Sequence, residues 1–582
     1  MKKAFGLSLL IVALALSTAP RTLFAQAADT VVVAALPPGN LNEVINADTL
    51  SNGALPPNTV FLLKPTGTLD TTYYLTATIQ VRGNVTIVGY INPNTGHPPV
   101  IAPFINSDNS SPGTFIEMYG GDTLNLNGVY LLGTRTDGSS VTGQCVGAGG
   151  DSVTFIFNDC VFDHFGSSGT PNVINTWASA MDNIYVTNCE FRNNQDDVPQ
   201  NPGLNWAGPG PSPFPVDSVK YVNNTMFILG GCIEGSGQDV HYMLFDHNTV
   251  FFQTKTAPFT LQEWHNADVK NNIFFSCNST GLDTAHVYDA NVQNSNFFSA
   301  PAIIELDTLA NGVDSALGFT EADRHVAAVN NAYFWPKGIV DNWATLNQQA
   351  DTTYGQIITP SWAAATYAPI LTDRTKWPGI DVYTNDDSVD PGFNSVLVQM
   401  CSDSMANFVD TCWAIGTGLN TRPFVYSSSN PKTWTGVPSD WQTVQGYPVR
   451  ENLAYTNTSL MHAGTDGFAL GDLNWFPSQK AQFVLGIKTV PNVVPEKFAL
   501  SQNYPNPFNP STDIQVSLKQ AGNMSLTIYN VLGQVVQVVD HGYRPAGEYI
   551  FNVSMDRYAS GVYFYTLREG SNSITKKMLL LK

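Results

Sequence analysis

Residues that could act as an acid and a base lie close together in a chain that is otherwise poor in charge. Glu263 and His265 are two residues apart, and Lys270 follows five residues later. Carboxylates, imidazoles and amines transfer protons in enzymes, so Glu263 with His265, or Lys270, could act on a bound substrate. Because alternate strand residues face opposite ways, Glu263 and His265 would share one face and Trp264 would lie on the other.

Neighbouring segments place further polar and aromatic residues at equivalent positions. A strip of this kind could bind a sugar chain through ring stacking and hydrogen bonds, without any chemistry. The ligand-binding candidates are Asp239, His241, His247, His286 and Tyr288. A hydrated outer strand face that has no ligand is the third interpretation of the same pattern.

A repeated phrase aligns these positions with one another. It reads apolar residue, any residue, Asn, any two residues, Phe, and its four central copies are 24, 23 and 23 residues apart. The Asn of each copy is Asn188, Asn224, Asn248, Asn271, Asn294 or Asn331. A fixed step of this size, without helical i, i+4 spacing, indicates a stacked repeat of strand, turn and strand. We predict an Asn ladder at the turn and Phe side chains stacked inside the coil.

This pattern resembles the right-handed parallel β-helices of the pectin-lyase-like superfamily, over residues 38 to 480. The resemblance implies an all-β solenoid and relatives that include polysaccharide lyases and glycoside hydrolases. Asp196-Asp197 and Asp386-Asp387 are the only fragments comparable to polygalacturonase phrases, and the paired-Arg phrase of pectate lyases is missing. No cofactor is evident, although Ca²⁺ would be expected of a lyase.

Composition limits the partners. The chain has 582 residues, 13% of them charged, and a formal net charge of −20. An acidic surface argues against nucleic acid and anionic membranes, and mildly against a polyanionic glycan unless Ca²⁺ bridges the two. Among the seven cysteines, Cys160 and Cys189 share a phrase position and could form a disulfide or stack as buried thiols. Cys401 and Cys412 lie outside the repeat and are the preferred pair for a bridge.

The end of the chain has a different pattern. It opens with Tyr504, Pro505, Asn506, Pro507, Phe508, Asn509 and Pro510. Alternating strands separated by turn signals follow, which predicts a small immunoglobulin-like β-sandwich. The opening, the phrase at residues 528–534 and the Lys-Met-Leu ending resemble the type A C-terminal sorting domain of the type IX secretion system. The resemblance implies that this machinery is a partner and that the protein reaches the exterior of a Gram-negative bacterium.

We therefore expect an ordered series of segments. They are a signal peptide (1–27), an N-terminal cap with a short helix (28–70), a parallel β-helix (71–335), final coils with an insertion (336–485), a linker (486–500) and the sorting domain (501–582). No transmembrane helix is expected in the mature chain. The expected function is glycan binding or a structural or adhesive role at the cell surface, with a polysaccharide lyase or hydrolase as the alternative. The sequence leaves the oligomeric state open.

Overall fold

The computed structural model describes only part of the chain. The described residues are 29–33, 40–50, 53–56, 59–65, 71–80, 82–94, 96–135, 141, 143–165, 173–176, 179–194, 205–206, 216–235, 240–254, 256–279, 302–309, 319–349, 359–383, 385, 389–414, 452–480, 483, 487–490, 497–519, 522–544, 547–555, 558–569 and 572–581. Residues 1–27, the predicted signal peptide, lie outside them. Among the described residues, no helix is long and apolar enough to cross a membrane.

Three long sheets wind around a common axis. Within the described ranges, sheet 1 runs through Asp29–Val33, Thr59–Leu63, Val85–Gly89, Thr123–Asn127, Thr154–Asn158, Asn183–Thr187, Val216–Val222, Val240–Asp246, Trp264–Lys270, His325–Val329 and Ile380–Asp381. Sheet 2 runs through Thr72–Leu75, Val100–Pro103, Tyr130–Leu132, Val161–Asp163, Glu190–Arg192, Thr225–Leu229, Thr249–Gln253, Ile273–Phe275 and Ala332–Phe334. Sheet 3 runs through Ile116–Met118, Val146–Ala148, Ile174–Asn175, Asn205–Trp206, Glu234–Gly235, Phe259–Gln262, Ala302–Leu306 and Ser361–Ala365.

Strands of successive coils are neighbours in each sheet and pair in parallel. Inward-facing side chains from all three sheets, such as Val186, Phe191 and Ile174, are fully buried in one apolar core. Burying side chains of this size contributes roughly 1.5–3 kcal/mol each. The predicted all-β parallel β-helix is therefore confirmed.

One residue with left-handed backbone makes the bend between sheets 1 and 2 in each coil. These bend residues are Asp159 (φ 51°), Asn188 (57°), Asn223 (60°), His247 (53°), Asn271 (58°) and Asn330 (59°). Asn and Asp adopt this conformation more readily than other residues that carry a Cβ. The preference explains why the repeat places them at the bend.

The residue after each bend forms a buried asparagine ladder. Asn248 Oδ1 accepts hydrogen bonds from the backbone N and from Nδ2 of Asn224, at 3.0 and 2.9 Å. Asn272 Oδ1 accepts the same pair from Asn248 at 2.7 and 3.1 Å, and Asn331 Oδ1 accepts it from Asn272 at 3.1 and 2.8 Å. Asn385 continues the ladder beyond Asn331. Each rung satisfies polar groups that would otherwise be buried without partners.

Asn224, Asn248 and Asn331 of the predicted ladder lie in this row. For two other predicted members, the prediction is wrong by one residue. Asn188 and Asn271 belong to the bend row, and Asn272 is the rung beside Asn271. Because two Asn residues are adjacent at 271–272, sequence spacing does not distinguish a step of 23 from one of 24. Asn294 lies outside the described residues.

The expectation that every phrase Phe faces the interior is also wrong. The Phe side chains of three phrase copies stack with Phe275 on the outer face of sheet 2. The stack consists of Phe227, Phe251, Phe275 and Phe334, with ring centroids 5.3, 5.2 and 5.8 Å apart. The register pairs Phe227 with Arg192, whereas Phe191 pairs with Met226. A shift of one residue moves a side chain to the opposite face of a strand, which explains the error.

The later part of the chain covers this Phe stack. The helices in the described residues are α1 (Asn40–Ala47), α2 (Lys337–Gln349), α3 (Pro369–Thr372), α4 (Ser395–Ala414), a short 3₁₀ helix (Leu473–Trp475) and α5 (Pro477–Lys480). Trp343 of α2, Met405 of α4 and Leu473 pack with the stack in a second apolar core. Sheet 2 therefore separates two cores, one on each face.

The short helix expected near the start of the chain is α1, and its Leu41 and Ile45 are fully buried against the first coils. Two strands of the segment assigned to the cap, Asp29–Val33 and Thr59–Leu63, pair with each other at the start of sheet 1. The stacking of coils therefore begins within residues 28–70.

The C-terminal region is an antiparallel β-sandwich. In its described part, one sheet contains Ile487–Val490, Ala499–Leu500, Ser511–Leu518 and Gly547–Ser554, and the other contains Gly522–Tyr529, Val535–Arg544, Gly561–Glu569 and Asn572–Leu580. Ile514, Leu526 and Tyr565 are fully buried between the sheets. The predicted sandwich is confirmed.

Both cysteine pairs can be placed. Cys160 and Cys189 are buried free thiols on adjacent coils, and the backbone N of Cys160 donates to Cys189 Sγ at 3.4 Å. Cys401 and Cys412 lie 11 residues apart on α4. A rise of ~1.5 Å per residue separates their Cα atoms by ~16 Å, so the expected bridge between them is wrong.

Candidate functional site

The predicted acid–base residues lie along one strand of sheet 1 and at the corner before it. Glu263 is half-buried between the sheet 3 strand that ends at Gln262 and the sheet 1 strand that begins at Trp264. His265 and Lys270 are five residues apart on the latter strand, which corresponds to ~16 Å at ~3.3 Å per residue. The structure therefore does not bring Lys270 together with Glu263 and His265.

A histidine row forms the corner between sheets 3 and 1. Asp217, His241 and His265 occupy equivalent positions on successive strands. His241 Nδ1 lies 3.4 Å from Asp217 Oδ1, and the rings of His241 and His265 are 4.9 Å apart. Phe319 stacks on His265 at 4.2 Å, and His265 is only 3% exposed. His241 is thus the more accessible imidazole of the row.

Lys270 lies at the far end of its strand. Its side chain is 33% exposed, and its Nζ is 3.8 Å from Asp246 Oδ2 on the preceding coil. Asp246 Oδ1 also accepts a hydrogen bond from Asn271 Nδ2 at 2.9 Å. The Asp246 carboxylate therefore already has a cation and an amide as partners.

His247 does not belong to the outer strip, contrary to its assignment as a ligand-binding candidate. It is a buried bend residue whose Nε2 lies 2.9 Å from Asp466 Oδ2, and its ring contacts Phe483. Burial lowers the pKa of His247, but the hydrogen bond to Asp466 and the charge of Asp246 outweigh it and raise the pKa above 6.5. The side chain joins two distant parts of the chain. Asp239, His286 and Tyr288 lie outside the described residues.

Residues 463–480, which we call the strap, run along the bend between sheets 1 and 2. The backbone N of Leu473 donates to Asn223 Oδ1 at 2.6 Å, and the backbone N of Asp472 donates to Thr249 Oγ1 at 2.9 Å. The strap therefore bonds to the bend and to the start of the sheet 2 strands. Its contacts explain why polar residues recur at this corner.

Asp472 is the buried anchor of the strap. Thr225 Oγ1 donates to its Oδ2 at 2.5 Å, and the backbone N of Asn474 donates to its Oδ1 at 2.8 Å. Burial raises the pKa of Asp472 to about 7, and the nearby Glu190 adds to the rise while Lys480 opposes it. Near neutral pH this carboxyl group is therefore partly protonated, whereas an ordinary aspartate is fully ionised.

Sequence reasoning missed a charged network on the outer face of sheet 2. Asp163 is fully buried and accepts hydrogen bonds from Tyr130 and from Asn193 Nδ2, the latter at 3.0 Å. His164 Nδ1 and Arg192 Nε lie 2.6 and 3.5 Å from its carboxylate. Burial alone would raise the pKa of Asp163, but its electrostatic contacts with His164 and Arg192 and its hydrogen bonds with His164 and Tyr130 outweigh it and lower the pKa to about 2.

The network carries opposite charges at paired positions of adjacent coils, Asp163 and Arg192. That pairing is the signal in the sequence that could have identified it. Because the Asp163 carboxylate is surrounded by donors from the protein itself, its contacts serve packing rather than a ligand.

The outer face of sheet 1 has a polar strip whose side chains are half-buried, apart from the buried Tyr242. Lys220 Nζ lies 5.2 Å from the ring centre of Tyr185 and 5.4 Å from that of Tyr242, on the coils before and after it. Leu244 follows Tyr185 and Lys220 in their row and Asp268 comes next, while Asn266 continues the row of Tyr242. The sheet 1 strip is our name for Tyr185, Lys220, Tyr242, Asn266 and Asp268.

The donors near the strip do not fit a metal ion. Asp268 belongs to the strip, and Asp246 on a neighbouring row faces Lys270. In the described part of the chain, no group of three or more His, Cys, Asp or Glu side chains could hold a metal. The expected Ca²⁺ of a lyase has no ligand set among these side chains.

Comparison with known proteins identifies one region. Residues 502–581 match the family described as secretion system C-terminal sorting domain. No curated protein and no solved structure matches the chain. The sorting domain shows that the protein is directed to the secretion machinery and is secreted or attached to the surface of a Gram-negative bacterium.

Proposed function

We propose that the protein is an exported β-helix that binds a neutral polysaccharide along the sheet 1 strip. The observation that carries this proposal is the position of Lys220 between the rings of Tyr185 and Tyr242. A cation between two aromatic faces holds both rings in place. The rings are therefore ordered before any ligand arrives, which lowers the entropic cost of binding.

The repeat of the coils suits an extended ligand. Neighbouring strands lie ~4.8 Å apart, so equivalent side chains recur at that interval along the solenoid. Tyr185 presents a ring with a polar tip, and Asn266 and Asp268 present amide and carboxylate groups that can bond to sugar hydroxyls. Each is half-buried, so each has a fixed orientation and an accessible side.

Charge favours a neutral ligand. The chain carries a formal net charge of −20, which repels polyanions at long range. Near the strip, Lys220 and Lys270 alternate with Asp246 and Asp268, so neither sign dominates. A neutral polysaccharide meets no repulsion from either set.

Polysaccharide cleavage is the alternative function, and one contact favours it. His241 Nδ1 lies 3.4 Å from the Asp217 carboxylate, an arrangement that can orient an imidazole as a general base. The half-buried Glu263 lies at the same corner, one strand away in the next coil. Cleavage would therefore occur at this corner, beside the strip.

Affinity electrophoresis against a panel of neutral and acidic polysaccharides tests the proposal. The wild-type chain should be retarded by a neutral polysaccharide, and Lys220→Met should reduce its affinity at least fivefold. Lys337→Met is the matched control, because Lys337 is an exposed lysine on α2 whose ion pair is with Asp341 in its own helix. Retardation that Lys220→Met leaves unchanged would refute binding at the strip.

An assay for reducing ends and unsaturated uronate on the same panel separates the two functions. Binding without product formation supports a binding protein. Product formation that His241→Gln and Asp217→Asn both abolish would establish the enzyme instead.

A further inference from the structure

The described part of the sorting domain exposes large apolar side chains on a single turn and near it. Val531 and Leu532, in the turn between Gly522–Tyr529 and Val535–Arg544, are 66% and 80% exposed, and Val535 is 55% exposed. Tyr504 and Leu581 are 82% and 48% exposed. We call these five residues the apolar end.

The strand pairing places them at the same end of the sandwich. Tyr529 pairs with Phe564, close to where that strand begins, and Gly561 pairs with Leu580, where the last strand finishes. Leu581 thus lies at the level of the turn. At ~4.8 Å per strand, the turn and the last strand are ~10–15 Å apart across the sheet.

The opening segment of the domain reaches the same end. The backbone N of Phe508 donates to Leu579 O at 3.0 Å, and the backbone N of Leu581 donates to Phe508 O at 2.9 Å. Gln502 Nε2 donates to Lys577 O at 2.7 Å, so residues 502–508 follow the last strand toward its finish. Tyr504 therefore lies at the apolar end.

The turn itself is held rigid. Asn530 Oδ1 accepts hydrogen bonds from the backbone N of Leu532 at 2.9 Å and of Gln534 at 3.1 Å. Asn530 Nδ2 donates to Gln534 Oε1 at 2.8 Å, and Gly533 supplies the left-handed backbone (φ 82°). Val531 and Leu532 are thus presented in a fixed position, which lowers the entropic cost of docking.

We infer that the apolar end docks into an apolar groove of the outer-membrane machinery that translocates the protein. Clustered exposed apolar side chains mark interaction surfaces in folded domains. Residues 530–535 carry no charge, in a chain with a net charge of −20, so an apolar groove suits them better than a charged one. All five side chains lie within residues 502–581, the region matched to sorting domains. The inference rests on the export role of that domain and is independent of polysaccharide binding.

Secretion in a bacterium with a functional type IX system tests the inference. The Val531→Ser/Leu532→Ser double variant should lower the extracellular amount of the full chain at least tenfold, and the protein should accumulate in the periplasm with its tail attached. Its Tm should stay that of the wild type, because both side chains are exposed. The matched control is Val396→Ser/Tyr367→Ser, which changes two exposed apolar residues outside the sorting domain (67% and 49% exposed) and should be secreted normally.

Two further arms keep the test decisive. A chain that lacks residues 502–582 should be retained; if it is secreted, the export role itself fails. If that chain is retained but the double variant is secreted normally, only the docking inference fails. A photo-cross-linking residue in place of Leu532 should capture an outer-membrane protein. Capture of a second copy of the chain instead would assign the apolar end to self-association and overturn the inference.

Discussion

The same coils of the β-helix present two different outer faces. On sheet 2, the outward side chains form the Phe stack, and α2, α4 and the strap cover it. On sheet 1, the outward row contains Tyr185, Lys220 and Asp268, which are half-buried and polar. A single repeat phrase encodes both faces, because it contains the end of one strand, the bend and the start of the next.

The two faces therefore have different roles: the sheet 2 face stabilises the fold, and the sheet 1 face is the proposed binding surface. The sheet 2 face is occupied by packing, since its rings contact Phe393 of a distant segment and its charged side chains are buried and paired with one another. The sheet 1 face keeps polar side chains at half exposure along several coils. Substitutions on the first face should therefore change stability, and those on the second should change binding.

The largest loss of stability is expected at the centre of the Phe stack. Phe251 is fully buried and contacts the rings of Phe227, Phe275 and Phe393 at 5.2–5.3 Å. Phe251→Ala should lower the free energy of unfolding by about 3–5 kcal/mol through the cavity it leaves. Urea denaturation measures this, and a loss below about 1 kcal/mol would contradict the assignment of this face to packing.

A smaller loss is expected in the asparagine ladder. Asn272→Ala removes the acceptor for Asn248 and the donor to Asn331, so about 1–3 kcal/mol should be lost through unpaired neighbours. Asn266→Ala, a half-exposed Asn of the sheet 1 strip, is the matched control and should cost less than about 0.5 kcal/mol. Equal losses at the two positions in thermal melts would refute the ladder register.

The strap should make stability depend on pH. The pKa of Asp472 is about 7 in the folded state against an ordinary value of 3.8, so the folded state retains a proton that the unfolded chain releases. Stability therefore falls as pH rises, by about 1 kcal/mol between pH 6 and 8. The raised pKa of His247 acts in the same direction, because its ion pair with Asp466 is lost above that pKa.

Denaturation of Asp472→Asn across pH 5 to 9 measures this contribution. The variant should show a shallower loss of stability with pH than the wild type. Burial also raises the pKa of Asp182 to about 7. Asp182 therefore still makes the stability of Asp472→Asn depend on pH, and Asp182→Asn should reduce the pH dependence by a comparable amount. A pH profile of Asp472→Asn that matches the wild type would refute the buried anchor.

The sequence was sufficient for the broad architecture and insufficient for the register. A constant step of β-branched and aromatic residues identifies a stacked coil, since its strands pair only with their neighbours. The adjacent Asn271 and Asn272 left the ladder ambiguous by one residue, and that residue decides which face each Phe occupies. Local spacing does not contain this information, because packing against a distant segment fixes it.

The strap shows the same limit more clearly. Leu473 and Asn223 are 250 residues apart in the chain, and no local pattern predicts their contact. Sequence spacing therefore places His247 on an outer strip, although its ring is buried and bonds to Asp466. Asp163 and Arg192 were missed because each is ordinary in its own coil and becomes a pair only when coils stack.

The most direct test of polysaccharide binding on sheet 1 compares two tyrosines by titration calorimetry. Tyr185 lies in the strip beside Lys220, whereas Tyr119 lies under Arg82 at 5.2 Å, just after a strand of sheet 3. With the neutral polysaccharide that binds the wild-type chain, Tyr185→Ala should weaken affinity at least fivefold and leave Tm nearly unchanged, while Tyr119→Ala should bind as the wild type. Equal affinity of the two variants would contradict recognition on the sheet 1 face.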